Sequence, residues 1–201
     1  MLSFHNDPAI KQKYLARVIA HRKADNLIQG IGWKNGKGCA IGCILEDYDH
    51  SRYPQELGLP IWLAMLQDII FENLPNKESQ YWPENSLAAI PIGINVEIVR
   101  HQIAIKKLDR LIKLQNHNLE NNKELKDIIL PVISSIEIIK KCHEAEINKN
   151  YCDWSAARSA AMSAESAARS AAWLAESVES VESVAWKQEA DDLIELLQNC
   201  H

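Results

Sequence analysis

The residues with the chemistry to act lie close together in the first third of the chain: Cys39, Cys43, Asp47, Asp49, His50 and Tyr53. A thiol, an imidazole and a carboxylate in one segment could supply a nucleophile, its base and the group that orients the base. In that arrangement Cys43 or Cys39 is the nucleophile, His50 the base, and Asp47 or Asp49 the orienter. The same residue types also ligate zinc. Spacing argues against the simplest zinc site. If 39–43 is a regular strand, Cys39 and Cys43 sit about 13 Å apart at ~3.3 Å per residue, beyond the reach of one ion. A bulge at Gly42, or a helical segment, would weaken that objection. On a strand, Cys39, Ile41 and Cys43 share one face, where free cysteines behave as small buried hydrophobes. The default for both thiols is therefore a structural place in the core, and neither a metal nor a cofactor is expected.

Gly36-Lys37-Gly38 invites a phosphate reading. It lacks the full Gly-rich loop that leads into a helix, so it reads first as a hairpin turn. A tight Gly/Lys turn beside His50 and Arg52 can still recognise an anion through backbone amides. Lys37, Gly38, His50, Arg52 and Tyr53 are accordingly the expected ligand-binding group. Net charge is −5 and the pI is near 5.8. Arg100, Lys106, Lys107, Arg110 and Lys113 form one basic helix side, but no aromatic residues interleave with them. Nucleic acid is not the expected partner. The acidic surplus belongs to residues 153–201, which carry nine acidic residues against Arg158, Arg169 and Lys187.

The elements that must position these residues are mostly helices. All seven glycines lie between Gly30 and Gly93, and the last proline is Pro131, so seventy residues follow without a helix breaker. Asp7 and Pro8 open a helix that Gly30 is expected to stop. Residues 31–45 read as a small β-hairpin turning at Asn35-Gly36. A helix follows from Pro60 to about Glu72, with Ile61, Met65, Leu66 and Ile69 expected inward. Asn95 caps a helix over 96–115. Another runs from about Lys123 to Ile147, where Pro131 should kink or split it. Asp153 caps the last helical stretch.

That stretch holds a repeat of eleven: AARSAAMSAES (156–166) and AARSAAWLAES (167–177) match at nine positions. Eleven residues in three turns keep equivalent positions on one helical face, so the alanines form a smooth arc. It is expected to pack within the chain, and any homodimer to form through the Trp173 side. A closing amphipathic segment carries Trp186, Ala190, Leu193, Ile194 and Leu197.

The segments at 4–30, GKGCAIGC (36–43), DHSRYPQELGLP (49–60), LQDIIFENLP (66–75) and AIPIGIN (89–95) resemble a family of uncharacterised bacterial and phage proteins. So does the order of a Gly/Cys front, an alanine-rich helix and a closing amphipathic helix. In that family pattern a histidine often stands where this chain has Glu46. The departure argues against a two-histidine site built on position 46 and His50. The resemblance implies an accessory or host-interaction role and carries over no functional residue.

The expected fold is mostly α: a single domain over 1–201, made of a helix/hairpin part (1–95), a helical hairpin (96–152), and the alanine-rich plus amphipathic helices (153–201). The expected function is a non-enzymatic binding protein for a protein partner or a small anionic ligand, with a cysteine-dependent hydrolase or transferase as the alternative. No run of ~20 apolar residues suits a membrane span, and no signal peptide is visible. Five cysteines without an export signal point to reduced thiols in the cytoplasm.

Overall fold

A computed structural model describes residues 1–160, 162 and 179–201. Among them helices dominate, and one two-stranded antiparallel hairpin completes the mostly α fold. The chain divides into two compact units, Met1–Arg100 with Glu179–His201, and His101–Val178.

The first unit begins with α1 (Pro8–Lys23), whose Asp7 side chain accepts from the Ala9 amide at 2.8 Å. The helix stops at Ala24, not at Gly30 as the glycine suggested. Asp25 turns the chain at φ 52°, and the backbone of 26–28 then runs beside Gly38. Gly38 donates to Asn26 O at 3.0 Å, and Ile28 donates to Gly38 O at 2.8 Å. Those bonds join positions ten and twelve residues apart, which helical periodicity does not record.

The hairpin pairs β1 (Trp33–Lys34) with β2 (Lys37–Gly38), Trp33 opposite Gly38. Its turn is the expected one: Asn35 and Gly36 take φ 53° and 79°, the two positive values that a type I′ turn requires. The hairpin ends sooner than expected. Ala40–Leu45 form a short helix, α2, capped by Cys39, and all six residues are buried. A short apolar run such as AIGCIL is compatible with either a buried strand or a buried helix. Gly42 decides the packing, because a Cβ there would stand 1.8 Å from Gly32 O. The bare backbone lets α2 lie flush on the loop before β1.

After α3 (Tyr53–Leu57), the central helix α4 (Ile61–Asn73) crosses the unit, followed by α5 (Asn76–Ser79) and α6 (Trp82–Ala89). The face of α4 is a correction. Ile61, Met65 and Ile69 are exposed, while Leu63, Ala64, Gln67, Asp68, Ile70 and Phe71 point inward. Two polar residues go in because the interior supplies partners. Gln67 accepts from Tyr53 OH and donates to Ser86 Oγ at 3.0 Å, and its backbone carbonyl accepts from Trp82 Nε1 at 2.8 Å. Phe4, Tyr14, Ile41, Ile44, Leu57, Leu63, Phe71 and Leu87 fill the rest of this core.

Two further long helices follow, α7 (Glu97–Asn121) and α8 (Lys126–Ile147). α8 runs through Pro131 without splitting. Residues 154–160 form α9, where Asp153 accepts from the amides of Ser155 and Ala156 at 2.9 and 3.2 Å, the expected cap. In the same unit Cys142 and Cys152 are joined in a disulfide, a correction to the expectation of five free thiols. The last helix, α10 (Glu179–Gln198), belongs to the first unit and packs on α4 and α6 through Ala190, Leu193 and Leu197. Most of the eleven-residue repeat, with its alanine face and Trp173, lies outside the described residues. No helix among the described residues is long and apolar enough to cross a membrane.

Candidate functional site

The polar cluster of the first unit is built where the start of α2 meets α4. Cys39 caps α2, and its Sγ accepts from the Gly42 amide at 3.4 Å. Asp68 and Glu72 are four residues apart on α4 and so share one helical face. One donor atom from each of Cys39, Asp68 and Glu72 lies within 4.8 Å of the other two.

Each donor is held by a further group. Asp68 Oδ2 accepts from Tyr48 OH at 3.0 Å and lies 3.2 Å from His50 Nε2. Glu72 Oε2 accepts from the Gly30 amide at 2.7 Å. The Tyr48 ring lies over Gly32, where a Cβ would meet it at 2.5 Å, and its edge meets the His50 ring at 5.0 Å between centroids. Gly30 and Gly32 therefore serve the cluster directly, one with an amide and one with the space for a ring. Asp68 Oδ1 is buried and has no hydrogen-bond partner.

The charges of the cluster act on one another. Burial first, and then the neighbouring Asp68 carboxylate, pushes the Cys39 thiol well above its ordinary value. Burial and Asp68 likewise push the Tyr48 phenol up to about 12. Burial raises the Glu72 carboxyl, with Asp68 adding to it and the Gly30 amide opposing. The site thus gathers a thiol and two carboxylates around an unsatisfied oxygen.

The residues singled out from the sequence fall into three groups. Cys39 and His50 are brought to the same carboxylate, yet no hydrogen bond among the described residues joins them to each other. Cys43 is a core thiol one helical turn further on, 3.4 Å from Gly38 O, with burial pushing it up to about 12. Because Ala40–Leu45 is a helix with Cys39 as its cap, the strand spacing that weighed against a metal no longer holds. Asp47 and Asp49 do not orient His50. Asp47 pairs with Arg52 at 2.6 Å, and Asp49 caps a turn by accepting from Ser51 N and Oγ at 2.9 and 2.6 Å. Those local bonds hold the Asp49 carboxyl below its ordinary value.

The expected anion group is dispersed. Lys37 is exposed on β2, whereas the Gly38 amide is committed to Asn26 O. Tyr53 is wholly buried with its hydroxyl on Gln67, so it serves the core. Arg52 is held between Asp47 and Glu56.

Arg52 does line a cleft of ≈ 600 Å³ together with Lys13, Tyr14, Arg17, Glu46 and Glu56. Lys13 Nζ and Arg17 Cζ stand 4.9 and 5.0 Å from the centre of the Tyr14 ring. Tyr14 OH donates to Glu56. Arg17 donates to Ile44 O at 2.8 Å and pairs with Glu46 at 3.5 Å, and Glu46 also meets His21 at 3.5 Å. Lys13, Arg17 and Arg52 are the cations of that lining and Glu46 and Glu56 its carboxylates, with Asp47 also pairing with Arg52.

Sequence reasoning missed Tyr48, Asp68, Glu72, Lys13 and Arg17 as site residues. The available signal was Gln67-Asp68, a polar pair interrupting the otherwise apolar run of α4. Compared with known proteins, the chain matches no family model, no curated protein and no solved structure.

Proposed function

We propose that the chain is a non-enzymatic binding protein that takes a small anionic ligand in the cleft lined by Lys13, Arg17 and Arg52. The observation that carries this is a cavity of ≈ 600 Å³, the size of a metabolite site, lined by the three cations Lys13, Arg17 and Arg52. Arg17 and Arg52 are fixed by Glu46 and Glu56, so their positions are set before a ligand arrives. Lys13 lies over Tyr14 and has no carboxylate partner among the described residues, so it supplies the mobile charge.

The cysteine-nucleophile alternative has less support. A thiol needs its proton taken by the imidazole, but here Asp68 stands beside both groups and favours the protonated thiol. The resemblance to bacterial and phage proteins supports an accessory role.

The test is thermal shift and calorimetry with inorganic phosphate, pyrophosphate, nucleotides and phosphorylated sugars. A ligand present at a hundred times its Kd should add about 2.7 kcal/mol of stability. Lys13→Glu should remove the effect and leave the fold intact. No response to any of these anions, together with an empty pull-down from host lysate, would end the binding reading. A captured protein without an anion response would move it to a macromolecular partner.

A further inference from the structure

The cluster of Cys39, Asp68 and Glu72 is separate from the cation-lined cleft, and none of its members lines that cleft. Three features set it apart from an ordinary buried polar network. Its donors come from two elements, the cap of α2 and one face of α4, and converge within 4.8 Å. Each also has a hydrogen-bond partner outside the trio: the Gly42 amide on Cys39, Tyr48 and His50 on Asp68 Oδ2, and the Gly30 amide on Glu72 Oε2. Finally, Asp68 is 7% exposed and its remaining oxygen, Oδ1, is left without any partner.

A buried carboxylate oxygen without a hydrogen bond is costly, so it calls for a partner. Tyr48 and His50 are already spent on Oδ2, and the Cys39 thiol is only a weak donor. The other groups nearest the cluster's centre are a thiol and a second carboxylate, which are themselves ligands. A cation satisfies all three at once.

We propose that Cys39, Asp68 and Glu72 bind one divalent d-block cation, of the zinc or cobalt kind. The donor set selects it. A thiolate excludes magnesium and calcium, which take oxygen ligands alone, and two carboxylates with one thiolate suit a borderline ion. Tetrahedral bonds of about 2.0–2.3 Å place ligand atoms about 3.3–3.7 Å apart, so small side-chain rotations close the cluster on the ion. Binding exchanges one bond for another: the Cys39 S–H bond breaks, an S–metal bond forms, and the proton leaves to solvent. Tyr48 and His50 act as positioning residues that turn Asp68 toward the ion. Three protein ligands leave a fourth position for water or a ligand atom.

The test uses the full chain with its disulfide intact, cleared of metal by chelator and titrated with Co²⁺. A thiolate-to-cobalt absorption band should grow to saturation at one cobalt per chain, release one proton, and be bleached by Zn²⁺. Cys43→Ser and Cys200→Ser should keep the band, and Cys39→Ser should lose it. Glu72→Gln, at a half-buried position that should not compromise folding, should weaken cobalt affinity by about tenfold or more. Tyr48→Phe should weaken it by about 10–100-fold with the band unchanged in shape. A folded wild-type chain that gives no band overturns the proposal, as does a band that survives Cys39→Ser. If Cys39→Ser fails to fold, Glu72→Gln decides, and an unchanged affinity there overturns it. None of these outcomes depends on whether the anion cleft is occupied.

Discussion

Tyr53 offers a sharp test of how the site is supported, because its hydroxyl was open to a ligand role and the structure gives it to the core. Tyr53→Phe removes only that oxygen from a wholly buried ring. Gln67 Oε1 then loses its donor in a dry interior, while its Nε2 still donates to Ser86. A buried acceptor left without a partner costs about 1–3 kcal/mol. Gln67→Leu strands both the Tyr53 hydroxyl and one side of Ser86, and should cost about 2–4 kcal/mol on the same basis. The double variant leaves no Tyr53 hydroxyl to strand, so its cost should fall short of the sum by about 1 kcal/mol or more. Hydrogen exchange of the α4 and α6 amides in the full chain reads the first unit directly, and urea unfolding supplies the free energies. Strict additivity, or a Tyr53→Phe effect below about 0.5 kcal/mol, would refute the buried bond and return Tyr53 to the ligand candidates.

Three further outcomes follow from the cysteines. Cys43 keeps its proton to about 12 in the folded chain, while an exposed thiol in the unfolded chain loses it near its ordinary value. Between those values the folded state binds the extra proton, so stability should fall as pH rises, by up to ~1.4 kcal/mol per pH unit for this thiol. Comparing the pH dependence of unfolding in wild type and Cys43→Ser checks the sign. Iodoacetamide at neutral pH should leave Cys43 unlabelled, and rapid labelling would contradict its place in the core. In the other unit, the Cys142–Cys152 bridge spans ten positions, so reducing it should destabilise that unit by up to ~3 kcal/mol. Exchange of the α8 amides with and without reductant measures this, and five free thiols in the denatured, unreduced chain would contradict the bridge.

What the sequence determined by itself is the part governed by bonds between near neighbours. The Asp7 cap, the Asn35-Gly36 turn, the Asn95 side chain accepting from the Glu97 amide at 3.1 Å, and the Asp153 cap all stand where residue type placed them. So does the mostly α character, since long stretches free of glycine and proline favour helix wherever they pack. The site was decided elsewhere. Whether 39–45 became strand or helix depended on Gly42 meeting Gly32 O, an approach between segments ten residues apart. The carboxylate for His50 came from Asp68, eighteen residues on, because the nearer Asp47 and Asp49 were taken by Arg52 and Ser51. The inward face of α4 was chosen against its own hydrophobic stripe. Ile61, Met65 and Ile69 stayed outside while Gln67 and Asp68 went in, since Tyr53, Ser86, Tyr48 and His50 were waiting with hydrogen bonds. A polar side chain is buried only where other elements supply its partners, and that supply is a property of the tertiary structure alone.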